Sequence, residues 1–355
     1  MSRYDDVKAS LVKDPRTWVV TGAAGFIGSH LVEELLRLNQ RVIGLDNFST
    51  GKRENIADVA RGNPGFTFYE GDINDRGVVD VAVVGADYVL HQAALGSVPR
   101  SIKDPQATHR ANVDGFVTMA LGAKDAGVKR FVYASSSSVY GDHPDLPKVE
   151  DKIGQALSPY AATKRVDEIY AHAFQLSYGL EFVGLRYFNV FGPRQDKDAA
   201  YAAVIPIWVG ALLRGRADPE ARCVINGDGE TSRDFCFVKN AVQANLLAAT
   251  APYAATDEVY NVACGARTTL TALHALLHEG LTEILKATGQ APLSPSSSSG
   301  PVFGPFRPGD VRHSLADVSK AEKLLGYAPT HDVQQGLAEA LSWYVNAVSP
   351  SGETG

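Results

Sequence analysis

Long apolar runs are missing from this sequence. None of its 355 residues belongs to an uninterrupted apolar stretch near the ~18 that a membrane-spanning helix needs. No membrane partner is therefore expected. Cysteine is scarce, and Cys223, Cys236 and Cys264 form no CxxC pair. That excludes a disulfide scaffold and implies reduced thiols in a cytoplasmic protein. An excess of positive charge is absent too: 34 Lys and Arg stand against 40 Asp and Glu, for a net charge of -6. No global basic field exists to attract nucleic acid, so an anionic ligand has to be held by local arginines. The opening MSRYDDVKASLVKDPRT lacks the apolar core of a signal peptide. No internal repeat is found.

What remains is a chain that is 45% hydrophobic and 21% charged, in the range of a soluble globular protein. After a short polar helix, TWVVTGAAGFIGSHLVEELLRL reads as strand, glycine turn and helix. RVIGLDN, FTFYEGDI, DYVLHQAA, RFVYASSSS and EFVGLRYFNVFG read as five more strands. Helical stretches are expected at 74–85, from about Pro105 to Ala126, and from Ser158 to Ser177. Apolar strands alternating with amphipathic helices indicate a parallel sheet covered on both faces. After about residue 190 the pattern loosens into Gly-, Pro- and Ser-rich loops, interrupted by a strand-helix unit, DFCFVKNAVQANLLAAT. Two helices close the chain. Loops of this length are usually functional or disordered.

Thr21-Gly22-Ala23-Ala24-Gly25-Phe26-Ile27-Gly28 follows a strand and opens a helix. Its glycines suit a tight turn, close approach to a pyrophosphate, and close packing of helix on strand. The helix N-terminus then faces the anion. Asp46 ends the second strand, 18 residues after Gly28. A carboxylate there accepts hydrogen bonds from ribose hydroxyls and repels a 2'-phosphate, which favours NAD over NADP. The fold class expected is α/β: a Rossmann-type doubly wound parallel sheet with a smaller, mostly C-terminal substrate-binding domain. The boundaries expected are 1–189 plus about 239–264 for the NAD-binding domain, and about 190–238 plus 265–355 for the other.

In LSPYAATKRVDEIYAHAF, Ser158 suits an N-cap and Pro159 the first helical position. Tyr160 and Lys164 are then i and i+4 on one helix face. A free tyrosine titrates near pH 10, so it needs a neighbouring positive charge to act as a general base at neutral pH. Lysine at this spacing supplies one. His274 and His278 are also i, i+4, but no third ligand is evident, and a metal site is not expected.

Taken together, VVTGAAGFIGSHL, LDNFSTG, GDI, HQAA, SSSSVYG, SPYAATK, LRYFNVFGPRQ, SRDF and PGDVRHSLADVSKAEKLLGYAP cover nearly the whole chain. In these motifs it resembles the extended short-chain dehydrogenase/reductase superfamily, specifically its nucleotide-sugar 4-epimerases. HQAALGSVPRSI and GDVRHSLAD look most like the branch that acts on UDP-N-acetylhexosamines for bacterial surface polysaccharide. The resemblance implies that the serine strand ends at the cofactor. It assigns catalysis to Ser136, Tyr160 and Lys164, with Ser136 relaying the proton of the sugar 4-hydroxyl. The cofactor contacts it implies are Gly22, Gly25, Phe26, Ile27 and Gly28 in the turn. Asp46, Asn47, Asp72 and Ile73 follow at the adenosine end. Ala93, Asn112, Ser135, Tyr160, Lys164 and Tyr187 follow toward the nicotinamide, with Asn112 supporting the cofactor strand.

For substrate, the resemblance implies Arg233 and Arg307 on the diphosphate, where a guanidinium fork bonds phosphate oxygens in pairs. Asp310 falls on the uridine ribose, and Asn189 on the sugar or phosphate. Gly96, Ser97, Ser136 and Ser137 fall around the sugar. Ser314 falls where a large tyrosine would confine the site to glucose and galactose, and a small residue leaves room for an N-acetyl group. Relatives that dehydrate or decarboxylate carry acids where this chain has Ser137 and Ser138. That leaves hydride transfer at C4 with tightly held NAD. The substrate reading is a UDP-N-acetylhexosamine. UDP-glucuronate stays open as the alternative because Arg100 is available for its carboxylate, and a non-catalytic NAD sensor is the remote one. Two helices, around 105–126 and 158–178, are where a homodimer is expected.

Overall fold

A computed structural model describes residues 2–196, 203–218, 220–294, 300–306 and 311–348. Contacts divide the chain into two units. The first comprises Met1–Phe188, Lys239–Ala263 and Ala316–Thr330, and the second Asn189–Val238, Cys264–Leu315 and His331–Gly355. The boundaries predicted from sequence put all of 265–355 in the second unit. The structure instead packs Ala316–Thr330 with the first, where the Tyr327 hydroxyl donates to Ala263 O at 2.8 Å and Thr330 N to Asn240 Oδ1 at 2.8 Å.

The first unit is built on a seven-stranded sheet whose strands all run parallel. Its strands are β1 (Thr17–Thr21), β2 (Arg41–Asp46), β3 (Phe66–Glu70), β4 (Tyr88–His91), β5 (Arg130–Ser136), β6 (Glu181–Tyr187) and a last strand, Glu258–Val262. In space the order is β3-β2-β1-β4-β5-β6, with Glu258–Val262 beyond β6. This is the doubly wound order, with its reversal point between β1 and β4. The last strand was not foreseen. Its sequence, EVYNV, is short and stands amid loop-like composition, and pairing with β6 makes it a strand.

Burial explains the apolar runs. Every residue of β4, and four of the five in β1, is buried. That is the signature of a parallel sheet covered on both faces. Between β4, β5, β6 and the helices lies an aromatic core of Phe116, Phe131, Tyr133 and Phe182, whose rings contact at 5.2 to 6.4 Å. The helix expected over 105–126 is present but not uniform. Pro105–His109 leads into a π-helical turn at Arg110–Asp114, then continues as Gly115–Asp125. Such a turn inserts a residue into the helical ladder.

The second unit joins three helices, Val204–Arg214, Leu270–Ala287 and Val333–Val348, to short strand pairs. Leu273, Leu277, Leu281 and Leu285 recur every fourth residue and are all buried. The first of these helices was hidden in a stretch that reads as loop. His274 is buried with its ring edge-on to Trp208.

Candidate active site

The glycine turn occupies the carboxyl end of β1, beside the reversal point. Gly22 has φ of +65°, a conformation glycine adopts without steric cost. A Cβ on Gly28 would lie 2.0 Å from Gly22 O, and one on Gly22 would lie 2.9 Å from Ala93 N. The turn therefore closes only with glycine at these places. Gly25, Phe26 and Ile27 remain partly exposed at the start of the helix Phe26–Arg37. Asp46 braces the turn: Oδ2 accepts from Ala24 N at 2.9 Å and Oδ1 from Phe48 N at 2.7 Å. Burial pushes its carboxyl up, against the pull of those backbone donors. Each oxygen keeps a lone pair for a ribose hydroxyl. At the ends of β2 and β3, Asn47 Nδ2 donates to Asp72 Oδ2 at 2.9 Å, and Asp72 Oδ1 accepts from Asn74 N at 2.8 Å. Partial burial raises the Asp72 carboxyl, but the donors from Asn74 and Asn47 outweigh it, and the net direction is down. Ile73 is buried against Gly115. A tight turn, an exposed helix N-terminus and a carboxylate at the end of β2 fit a dinucleotide.

The four serines divide their tasks. Ser135 is buried, and its hydroxyl donates to Glu168 Oε1 at 2.7 Å. Its donor serves the scaffold. Ser136 Oγ accepts from Ser138 N at 3.1 Å, capping the 3-10 turn Ser137–Tyr140, and stays partly exposed, as does Ser137. The Ser138 hydroxyl is buried and has no hydrogen-bond partner among the described residues.

The helix Pro159–Tyr178 starts as its sequence predicts. Ser158 Oγ accepts from Ala161 N at 3.1 Å, and Pro159 is its first residue. Tyr160 is partly exposed, while Lys164 is buried and ion-paired to Asp167 at 3.1 Å. Behind them, Glu168 binds Arg186 of β6, and Arg186 Nη1 donates to Glu150 O at 2.9 Å. The guanidinium also lies over the Tyr140 ring, 4.9 Å from its centroid.

Asn112 sits in the π-helical turn and joins two working segments. Its Oδ1 accepts from Leu95 N at 2.8 Å, and its Nδ2 donates to Thr163 Oγ1 at 3.0 Å. The loop after β4 and the residue before Lys164 are thereby tied together. Tyr187, at the end of β6, belongs to a closed ring of hydrogen bonds. Its hydroxyl donates to Gln92 Oε1 at 3.0 Å, Gln92 Nε2 to Asn245 Oδ1 at 3.1 Å, and Asn245 Nδ2 to Tyr187 Oη at 2.7 Å. Gly96 is exposed, with open space around it, and Ser97 caps the helix Val98–Lys103 by accepting from Arg100 N at 3.2 Å.

Residues of the second unit gather separately. Ser314 N donates to Ser232 O at 3.0 Å and Ser232 N to Arg312 O at 3.0 Å, so Ser314 lies beside the Ser232–Arg233 strand. The Ser232 hydroxyl also bonds His313 Nδ1 at 2.9 Å. Arg233 Nη1 donates to Ser232 O at 2.9 Å. Asn189 is exposed with φ of +32°, a backbone angle uncommon outside glycine. Arg307 and Asp310 lie outside the described residues. Among the described residues no group of three His, Cys, Asp or Glu side chains is placed to hold a metal, and no helix is long and apolar enough to cross a membrane. Sequence motifs did not single out Asp167, Glu168, Arg186, Gln92 or Asn245. The first two read as surface charges on an amphipathic helix, so the sequence carried no signal for them.

The NAD-dependent epimerase/dehydratase family matches residues 18–263. The chain is 38% identical over 330 residues to the UDP-glucose 4-epimerase of Mycolicibacterium smegmatis, covering 92% of this chain and 98% of that one. Among solved structures, the UDP-N-acetylglucosamine 4-epimerase of Methanobrevibacter ruminantium, in complex with UDP-N-acetylmuramic acid, is similar with a TM-score of 0.82. It is 37% identical, covering 94% of this chain and 99% of that one. The UDP-glucuronic acid 4-epimerase of Bacillus cereus, in complex with UDP-glucuronic acid and NAD, has a TM-score of 0.79 at 29% identity, covering 93% and 99%. The chain belongs to the NAD-dependent epimerase/dehydratase family. It is an enzyme, and its cofactor is NAD.

Proposed function

We propose that this enzyme interconverts UDP-N-acetylglucosamine and UDP-N-acetylgalactosamine at C4, with weaker action on UDP-glucose and UDP-galactose. The coarser part, an NAD-dependent nucleotide-sugar 4-epimerase, rests on the family and on relatives matched over nearly the full chain. The finer part is carried by one observation: Ser314, small and partly exposed, hydrogen-bonds Ser232, the residue before Arg233. Ser314 leaves space for an acetamido group at C2, and Arg233, with Arg307, binds the diphosphate. Asp310 and Asn189 complete the nucleotide contacts.

Bound NAD supplies a hydride acceptor and returns the hydride. The chain does the rest. Tyr160 takes the proton of the sugar 4-hydroxyl, directly or through Ser136, whose oxygen is fixed at the end of β5 by Ser138 N. Lys164 binds the nicotinamide ribose and favours the Tyr160 phenolate. The 4-keto sugar turns about its diphosphate tether, and Tyr160 returns the proton after hydride arrives on the other face. Ser137 and Ser138 offer no carboxylic acid for eliminating water, which separates this site from a dehydratase.

The proposed setting is a cytoplasmic homodimer serving surface-polysaccharide synthesis. Ile169 and Leu176, seven residues apart and so on one face of the helix Pro159–Tyr178, are exposed as an apolar surface for a second copy. A second substrate reading, UDP-glucuronate, is favoured by Arg100 on the helix Val98–Lys103 that follows β4 and by the Bacillus cereus neighbour. Proton NMR of the purified protein with UDP-N-acetylglucosamine, UDP-glucose and UDP-glucuronate, without added NAD, separates them. Fastest conversion of the first supports the proposal. Conversion of UDP-glucuronate alone overturns it in favour of Arg100.

A further inference from the structure

The Lys164 ammonium is not an isolated charge. Its Nζ lies 3.1 Å from Asp167 Oδ2, one turn further along the helix, and both side chains are almost fully buried. The other carboxylate oxygen of Asp167, Oδ1, is buried and accepts no hydrogen bond among the described residues. A buried carboxylate with one oxygen unsatisfied costs stability, so the fold carries this group at a penalty. Burial pushes the Asp167 carboxyl up to about 7, while Lys164 pulls it down and Glu168 adds to the rise.

Few groups surround the pair. On the same helix, Lys164 and Glu168 interact with Asp167. From β5, the Tyr133 phenol is pushed up by burial first, then by Glu168 and Asp167. From β4, His91 is held neutral by burial and by the positive charge of Lys164. From β6, Arg186 is engaged by Glu168. The helix Gly115–Asp125 contributes apolar side chains to this core, among them Phe116, Met119, Ala120 and Ala123. Lys164 is thus the cation that answers Asp167, and Asp167 is the anion closest to Lys164.

We propose that Asp167 is a positioning residue for the reaction: it fixes the Lys164 ammonium and sets how much of that positive charge reaches Tyr160. The proposal rests on the roles of Tyr160 and Lys164 given above. An ammonium has three donors. Asp167 takes one and so orients the other two. When Asp167 is protonated, the charge of Lys164 is uncompensated and favours the phenolate. When Asp167 is ionised, the pair is neutral at a distance, its field falls, and the phenolate forms only at higher pH. A neutral residue of the same shape should therefore move the phenolate to lower pH.

The test uses NAD-loaded protein and three variants: Asp167→Asn, Asp167→Ser and Tyr160→Phe. Two quantities are followed against pH: kcat for UDP-N-acetylglucosamine, and tyrosinate absorbance with Tyr160→Phe as the blank. Asp167→Asn is expected to shift the acidic limb of kcat, and the tyrosinate titration, about one pH unit lower, with KM little changed. Asp167→Ser should move both the same way. An equal loss of kcat at every pH, with neither curve displaced, overturns the proposal and leaves Asp167 a structural role. Should both Asp167 variants fail to fold, the wild-type titration decides. A tyrosinate curve broader than one proton supports coupling to Asp167, and a single-proton curve overturns it. Full turnover by Tyr160→Phe would instead remove the base assignment itself, a result distinguishable from an unmoved limb.

Discussion

Arg186 and Glu168 meet through two parallel hydrogen bonds, Nε to Oε1 at 2.8 Å and Nη2 to Oε2 at 2.9 Å, with both side chains withdrawn from water. The same carboxylate accepts the Ser135 hydroxyl and an Arg165 donor. One group therefore clamps β5, β6 and the helix bearing Tyr160.

Removing one partner of this pair should cost more than removing both. Glu168→Ala is expected to destabilise by about 3–5 kcal/mol, because it strands a buried guanidinium. The double change Glu168→Leu with Arg186→Met should cost much less. Urea denaturation at neutral pH measures both. Burial raises the Glu168 carboxyl, but its bonds to Arg186 outweigh this and hold it below the usual range. Its contribution is then present above the unfolded-state value and lost as pH falls through the folded one.

His91 should give the fold a second acid sensitivity at higher pH. Burial, then the charge of Lys164, pushes its imidazole down to about 3 from 6.5. The unfolded chain binds a proton that the folded one refuses. Stability is whole above about 6.5 and is lost progressively as pH falls toward 3. The ring lies between Phe116 and Phe131, at centroid distances of 5.7 and 5.4 Å. His91→Phe is expected to keep the packing and flatten the pH dependence of the melting temperature in that interval.

Gly28→Ala should abolish cofactor retention. A methyl group there would sit 2.0 Å from Gly22 O, in backbone that has nowhere to move without opening the turn. The expected outcome is protein that no longer carries NAD through purification, read as lost absorbance and as nucleotide missing from an acid extract.

Ser314→Tyr should narrow substrate choice if Ser314 stands beside the C2 substituent. Conversion of UDP-N-acetylglucosamine is expected to fall while UDP-glucose conversion persists. Parallel NMR time courses give the ratio. Equal loss of both would place Ser314 elsewhere in the nucleotide site.

The parts of this molecule governed by short-range rules were legible. The glycine turn, the Ser158 cap and the runs of β1, β4 and β5 follow from steric and burial constraints that a few neighbouring residues express. The strand at Glu258–Val262 was not legible, because EVYNV becomes a strand through pairing with β6. The π-helical turn at Arg110–Asp114 was hidden for a similar reason: Asn112 is held there by Leu95 and Thr163, far away in sequence. Ser135 and Ser136 look alike in a run of four, and only the alternation of β5 gives one to Glu168 and leaves the other partly exposed. Asp167 reads as another helix-surface charge until its side chain is seen buried.

Gln92, Tyr187 and Asn245 each both give and receive within one closed circuit. Changing any one of them leaves a donor and an acceptor stranded on the other two, whereas replacing all three with apolar residues strands nothing within the circuit. Drift at these positions would have to cross a barrier that no single substitution lowers. A search through the protein's variants, one change at a time, would find this corner of the site locked, although its neighbours on the same strands stay open to revision.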